Sequence, residues 1–531
     1  MGFNVIDSTA TNVKIKGVAA SAITAGDLVG NSEIGKVFKV NEKLGISVTN
    51  NTVNGASAVV PITSIDATTG YDSSSLYSIS RLCELENGNI AFVYSGDGAT
   101  ESTGLNLRIQ NPFLVNVISK ITLSSAASIT TYRCFKLNPT QFVVFWNEAA
   151  VLKFAVVNND GSIAINSTTV STMSGWNCSR IDNGKFVVVY YKVTSNNCVF
   201  SIYNASGVLQ GSETTIEASG SPANIAIKSC VNSDFVVSYY RSSATTAYKS
   251  ARFTSAGVIV GSLTTLVTGG STLSVGDYNN GLIELSNGNV VAVVPGADAY
   301  PDIRILNASN TLLTSIDLGS GSITGNEVHC LVPMDNGFAI FARGSTNAYM
   351  WLFDNNGSAI LQKTQITGGL NGDGTTNGAI GSGITAFELK GIGFVLLRVG
   401  YSATPTYDAK LAVVNYQGAV IGSVINLIVS GSSIISGTSA ILTKDGLFIG
   451  MFKYGTSTYL SNFCYNVYRR SILGVATEDV SENQPLNVLT KGTYTINQNF
   501  GMGGSFDNTI TVVPGTKGTV VGNTAILRGT L

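Results

Sequence analysis

The chain has 531 residues, only 12% of them charged, and its 31 Lys plus Arg against 32 Asp plus Glu leave a formal net charge of −1. So sparse and balanced a charge set gives no electrostatic footprint for nucleic acid or an anionic membrane surface. The 44% apolar fraction supports a large core and excludes wholesale disorder.

The first segment, MGFNVIDSTATNVKIKG, lacks the long apolar stretch of a secretory signal. Ile6 stands where a myristoylated chain carries Ser or Thr, and no apolar run approaches the roughly 20 residues that cross a bilayer. Synthesis in a reducing cytosol, without export through a signal peptide or membrane insertion, is the expectation. The seven cysteines (Cys83, Cys134, Cys178, Cys198, Cys230, Cys330 and Cys464) are odd in number, widely spaced and without a CxxC pair. That pattern argues against a disulfide framework or a zinc site.

From residue 85 onward one pattern recurs eight times, a turn followed by a strand that opens on a large apolar residue. The copies begin LENGNIAFVY (85–94), LNPTQFVVFW (137–146), IDNGKFVVVY (181–190) and VNSDFVVSYY (231–240). They continue LSNGNVVAVV (285–294), MDNGFAIFAR (334–343), LKGIGFVLLR (389–398) and TKDGLFIGMF (443–452). The aligned apolar position reads Ile90, Phe142, Phe186, Phe235, Val290, Phe338, Phe394 and Phe448, at spacings of 44 to 56 residues. Periods of this size build propeller blades.

Each unit reads as four strands, a to d. In the second, a is 131–137, b is 142–146, c is 152–158, and d runs from near Ile163 to Val170. Strand b is apolar at nearly every position, as a strand buried on both faces must be. Between c and d, Asn158-x-x-Gly161, Asn204-x-x-Gly207, Asp354-x-x-Gly357 and Asn415-x-x-Gly418 are type I turn signatures, with Thr254-x-x-Gly257 and Asn307-x-x-Asn310 as variants. Eight residues before the aligned position stand Leu82, Cys134, Cys178, Ile227, Leu282, Cys330, Ala386 and Ala440. All are apolar and several are small, which reads as burial near a crowded axis.

The eighth unit supplies a, b and c (438–443, 447–452 and 462–468) but no d, and an unpaired candidate, SAVVPITSID, precedes the first unit at 57–66. Residues 57–65 are therefore expected to complete the last blade and close the ring. The fold class is all-β: an eight-bladed propeller, alternatively seven-bladed, of four-stranded antiparallel blades, inserted into a small β-module built from both termini. The expected boundaries are 1–50 and 471–531 for the module and 51–470 for the propeller. The b–c and d–a connections share one face and are expected to be long at 95–104, 268–281, 295–302, 368–385 and 399–409. Long loops on a rigid scaffold are where recognition resides.

The flanking segments ITAGDLVG (23–30), GKVFKVN (35–41) and ILGVATEDVSENQPLNVLTKGTYTI (472–496) together resemble small β-modules of tailed-bacteriophage virion proteins, of the fibre and capsid-decoration kinds. Gly26 and Asp27 match the first turn, Gly474, Val475 and Ala476 the second strand, and Gly492 the turn before the last strand. The closing segment 515–531 is similar to the ends of such proteins, while Pro485 and the propeller-sized insertion depart from the pattern. The resemblance implies a module that anchors the chain to other virion proteins, capsid or tail. It also implies a homo-oligomer, a trimer for preference, assembled in the host cytoplasm and displayed on the virion surface.

Chemistry-bearing motifs are few. His329 is the single histidine, so a Ser-His-Asp triad, a Cys-His pair or a multi-His zinc site would all have to run through it. Asp97, Glu101, Asp298, Asp302 and Asp408 lie singly near the long loops and read as solvated charges rather than as the paired carboxylates of a glycosidase. NGDGTTNG (371–378) lacks the alternating acids of a calcium loop. GMGGSF (501–506) is not placed between a strand and a helix. No catalytic residue, metal or cofactor is assigned. Aromatics carry the binding expectation, because rings stack on sugar faces: Trp176, Tyr278, Tyr300, Tyr401, Tyr407, Tyr454 and Tyr459, with Asp302 beside them. The expected function is non-enzymatic recognition of a host surface polysaccharide by a virion structural protein. The alternatives are a glycan-degrading propeller and a cellular surface adhesin or scaffold.

Overall fold

The computed structural model describes residues 81–450, apart from segments of which the longest are 97–103, 112–115, 270–280, 296–300, 319–327, 344–347, 371–382 and 431–435; outside that range it describes the strand paths named below. The chain divides into two compact units, one made of residues 63–441 and 450–462, the other of 1–62, 442–449 and 463–531.

The larger unit is a β-propeller, a succession of four-stranded antiparallel sheets. The first runs Leu82–Glu84, Ile90–Gly96, Gly104–Gln110 and Asn116–Ser124 in strand order a to d. The second runs Ile129–Lys136, Gln141–Glu148, Val151–Asn158 and Ile163–Asp182, and the third takes up that same last strand before Lys185–Lys192, Asn197–Asn204 and Thr214–Glu217. The fourth is Pro222–Ser229, Phe235–Arg241, Ala247–Phe253 and Ile259–Thr268; the fifth is Leu282–Glu284, Val290–Pro295, Pro301–Leu306 and Leu312–Asp317. The sixth is Val328–Met334, Gly337–Arg343, Ala348–Asp354 and Ala359–Gln365; the seventh is Gly383–Leu389, Gly393–Ala403, Thr406–Asn415 and Val420–Ser430. A last four-stranded sheet, whose residues are divided between the two units, is ordered Ser436–Leu442, Leu447–Tyr454, Tyr459–Asn466 and Val59–Ser64, so the segment before the first repeat supplies the missing strand d.

All eight aligned strand-b residues are buried, as are the eight apolar strand-a residues from Leu82 to Ala440. Within the third sheet Phe186 stacks on Tyr203 at 5.5 Å, and it meets Phe154 of the second sheet edge-on at 5.2 Å. Phe235 repeats this with Phe253 at 5.4 Å and with Phe200 of the sheet before it at 5.2 Å. In these two sheets the recurrent Phe is the tooth by which a blade engages its predecessor. One residue before the apolar strand-a position, six of the eight units carry a polar residue, and several of these bond to a neighbouring sheet. Arg133 donates to Asn177 Oδ1, and Asn177 Nδ2 donates to the Ile225 carbonyl at 2.8 Å. Arg81 N–H donates to Ser439 Oγ at 3.3 Å across 358 positions of sequence, both residues being buried, which joins the first sheet to the last.

The c–d turns keep the predicted chemistry. In each of the six, the first residue's carbonyl accepts from the fourth residue's N–H, as in Gly257 to Thr254 at 2.8 Å and Asn310 to Asn307 at 2.9 Å. The fourth residue has positive φ, from 60° at Asn310 to 88° at Gly357. Glycine is needed at Gly357 for space as well, since a Cβ there lies 2.9 Å from Ile305 and Ile316 of the preceding sheet.

The outer strands solve a problem set by the composition. Edge strands are usually guarded by charge, and Ile259–Thr268 carries none. Every described c–d pair instead shows a register shift, as between Lys249 and Tyr248 against Thr265 and Val267, whereas Gln141–Glu148 pairs with Val151–Asn158 without one. Bulges twist an edge away from a would-be partner strand.

Two connections differ from the sequence expectation. Ile163–Asp182 is one 20-residue strand, pairing with Val151–Asn158 up to Thr172 and with Lys185–Lys192 from Met173 onward. Its Ser- and Thr-rich middle contains β-branched residues and no proline, so nothing breaks the strand. Residues 399–409 are not a long loop: Gly393–Ala403 and Thr406–Asn415 continue as a hairpin with Tyr401 opposite Tyr407.

In the smaller unit both termini share a sheet, ordered Val13–Val18, Pro485–Thr495, Ile472–Ala476, Leu28–Asn31 and Val37–Lys39, with Thr509–Val512 also paired to Pro485–Thr495. Pro485 opens its strand, where no ladder N–H is lost. Gly492 is not in a turn; it lies within that strand, where pairing passes from Val13 (opposite Lys491) to Val512. Lys517–Val521 and Thr524–Arg528 form a separate hairpin.

Candidate functional site

The edge that carries the b–c and d–a connections is described best in the second, third and fourth sheets. Its framework is held by carboxylates gripped between cations and aromatic donors. Glu148 accepts from Lys153 Nζ at 2.5 Å, Ser124 Oγ at 2.7 Å and Trp146 Nε1 at 3.1 Å. Burial alone raises its carboxyl pKa, but these three donors and the Lys153 charge outweigh it and hold the pKa below the usual range. Glu213 takes Tyr190 and Lys192, and Glu217 takes Tyr239, Lys249 and Arg241, the last at 3.3 Å. These acids staple strands and sheets together.

Above this framework the backbone is strained. Ser219 and Ser221, in the link from the third sheet to the fourth, have φ of 57° and 41°; Asn224, at the register shift in the first strand of the fourth sheet, has 50°, and Asn196 in the adjoining b–c turn has 56°. Each such non-glycine residue costs on the order of 1–3 kcal/mol unless its surroundings enforce it. Hydrogen bonds do the enforcing. Ser221 N–H donates to the Asn196 carbonyl at 3.4 Å, Ser219 N–H to Asn197 Oδ1 at 3.1 Å, and Tyr191 Oη–H to Asn196 Oδ1 at 2.6 Å. From the fourth sheet, Ser242 Oγ donates to the Ser221 carbonyl at 2.8 Å, and Asn224 Nδ2 donates to Tyr248 Oη at 3.3 Å. Tyr248 lies 5.2 Å from the Tyr240 ring. Hydroxyls, amides and tyrosines from two loops and two sheets meet here, with Asn196 and Ser219 exposed.

A second strained turn joins strands b and c of the second sheet. Ala149 and Ala150 both have positive φ, 50° and 64°, between the paired Glu148 and Val151. A two-residue turn of that kind favours Asn-Gly. Replacing Ala149→Asn together with Ala150→Gly is expected to raise stability by about 1–2 kcal/mol, read as a higher urea midpoint.

The residues expected from the sequence are distributed as follows. Trp176 lies in the continuous strand rather than in a connection; it is half-buried, its Nε1 donates to Thr131 Oγ1 at 3.0 Å, and its ring lies 5.9 Å from Phe145 and 5.4 Å from the Arg133 guanidinium. Asp302 is not a loop acid but a buried strand residue, paired with Arg304 Nη2 at 3.0 Å. Tyr401 and Tyr407 face each other across a hairpin, Tyr454 ends strand b of the last sheet, and Tyr459 begins its strand c. The side chains of these four lie outside the described residues, as do Tyr278 and Tyr300 entirely. Sequence reasoning missed Ser219, Ser221, Asn224, Asn196 and Tyr191. Gly220 and Pro222 mark a turn there, but serine carries no signature of left-handed backbone.

The six described cysteines are buried thiols rather than disulfides. Burial pushes the Cys83, Cys178 and Cys230 thiols up to about 12. They are expected to stay unmodified by a thiol reagent at pH 8 until the chain is unfolded, with at most Cys464 reacting, as peptide mapping would show.

No protein-family model and no curated protein matches this chain. In fold it is similar to the β-propeller domain of the Trilobed protease from Pyrococcus furiosus, at 10% identity and a TM-score of 0.38 over 74% of this chain and 96% of that one. It is similar also to the Dos1 propeller, at 10% identity and a TM-score of 0.44 over 77% and 95%. An enzyme, dihydro-heme d1 dehydrogenase NirN, is similar at 9% identity and a TM-score of 0.41 over 75% and 78%. These likenesses are of fold alone.

Proposed function

We propose that this chain is a non-enzymatic structural protein of a tailed-bacteriophage virion, a tail fibre or a capsid-decoration (head-fibre) protein. Its propeller, of eight blades, presents a recognition surface to a host cell-surface glycan. The observation that carries the reading is that strands from both termini form one sheet while the four-stranded sheets lie between them in sequence. Such a chain has one part with which to attach (1–50 and 471–531) and another with which to recognise (51–470). The Gly-Asp and Gly-Val-Ala segments of the attaching part resemble virion modules. The non-enzymatic half of the reading is supported by Glu148, Glu213, Glu217 and Asp302, each of which holds a Lys or Arg. Oligomerisation, as a trimer for preference, multiplies weak glycan contacts into avidity.

The test uses the full chain and antibodies raised against it. Saturable adsorption of the chain to intact bacteria, with antibody label on the surface of tailed particles, is the expected result. Label confined to the cell envelope, with none on particles, sinks the virion assignment and favours a cellular adhesin.

A further inference from the structure

We infer that the glycan-contacting site of the propeller is the strained junction of the third and fourth sheets, formed by Asn196, Ser219, Ser221 and Asn224, and that it takes a neutral, hydroxyl-rich glycan. The inference rests on the recognition reading above and locates its site. Three non-glycine residues with positive φ, Asn196, Ser219 and Ser221, lie where a b–c turn and a d–a link are hydrogen-bonded to each other, and a fourth, Asn224, follows at the register shift of the next strand; their φ values run from 41° to 57°. Glycine would adopt these backbones without penalty, and among the described residues glycine is the commonest solution elsewhere, as at Gly211 (φ 81°) and Gly269 (φ 78°), where a Cβ would meet no atom within 4 Å. Side chains are kept here against the local preference of the backbone. Their strain is enforced from three directions, by Tyr191, by Asn197 and by Ser242 of the next sheet.

Residues so over-determined cluster where a ligand must be met in one geometry. The side chains there carry amides and hydroxyls, with Asn196 and Ser219 exposed, and such groups match sugar hydroxyls as donors and acceptors. The nearest carboxylate along the chain, Glu217, is already engaged by Lys249, Arg241 and Tyr239. An uncharged surface of this kind suits an uncharged sugar better than an acidic one.

The test separates binding from folding because glycine relieves the strain. Full-length Ser219→Gly, Ser221→Gly and Asn196→Gly variants are compared with wild type on an array of purified bacterial surface polysaccharides, neutral and acidic. Ser233→Gly, which relieves an equal strain (φ 68°) in an a–b turn on the opposite edge, is the control. The expected result is a melting temperature no lower than wild type in Ser219→Gly, Ser221→Gly and Ser233→Gly, and a slightly lower one in Asn196→Gly, which also loses the hydrogen bond from Tyr191. Affinity for the neutral polysaccharide that wild type binds falls at least tenfold in the three site variants and is unchanged in Ser233→Gly. If wild type binds and all four variants bind equally well, the site is elsewhere and the recognition reading stands. If wild type binds only acidic polymers, the ligand class is wrong. If wild type binds no polysaccharide, the recognition reading falls and the site with it.

Discussion

Phe186→Ala is expected to destabilise the propeller by about 3–5 kcal/mol, the cost of emptying a fully buried aromatic position. Phe186 is buried against four rings, Phe154, Tyr203, Phe145 and Phe135, at centroid distances of 5.2 to 6.5 Å. Three of them belong to the preceding sheet, so the cavity opens between blades, where no single sheet can close it by itself. Phe186→Leu fills much of the space and should cost less than half as much. Val258→Ala, at a position 61% exposed, should cost under about 0.5 kcal/mol. Urea unfolding followed by tryptophan fluorescence reads all three. A Phe186→Ala loss below about 1 kcal/mol would mean that the recurrent Phe does not bear the inter-blade contact.

Asn310→Ala is expected to cost about 2–4 kcal/mol, although Asn310 lies in a turn, where substitutions are usually mild. Asn310 takes the place that glycine holds in most of the c–d turns, at φ 60°. Its buried side chain bridges to the fourth sheet: Nδ2 donates to the carbonyls of Ser250 at 2.9 Å and Ser262 at 3.0 Å, and Oδ1 accepts from Ser250 Oγ at 3.0 Å. Alanine keeps the backbone strain and strands those groups. Asn310→Gly removes the strain but not the loss of bonds, and should be milder than alanine by about 1 kcal/mol. Asn310→Asp cannot donate to either carbonyl and should be at least as damaging as alanine. Equal stability for Gly and Ala would show that φ at this position is not constrained.

These two residues also mark what sequence can and cannot disclose. The recurrent Phe is legible because burial between blades demands a large apolar group at the same offset in each unit. The c–d turns are legible because a left-handed fourth residue selects glycine or asparagine. Val59–Ser64 could be assigned to the last sheet by noticing that the eighth unit lacks a strand. The uninterrupted strand Ile163–Asp182 was not legible, since a Ser/Thr-rich segment reads equally as loop or as exposed strand, and pairing on both sides decides between them. Asp302 looked solvated because its partner, Arg304, is two residues away on the same strand and only the burial of that face makes the pair obligatory. The strained serines at 219 and 221 were invisible for the opposite reason: their conformation is imposed by Asn196, Asn197 and Ser242, none of which announces itself in sequence.

The central claim is recognition without cleavage, and one measurement addresses it most directly. The full chain is incubated with purified host surface polysaccharide, and binding is followed together with polymer size by light scattering during size-exclusion chromatography. The account predicts saturable binding with the polymer's molar mass unchanged after prolonged incubation, and weaker binding of short fragments that cannot span an oligomer. A falling molar mass would make the protein a glycan-degrading enzyme, and absence of binding to any surface polysaccharide would contradict recognition altogether.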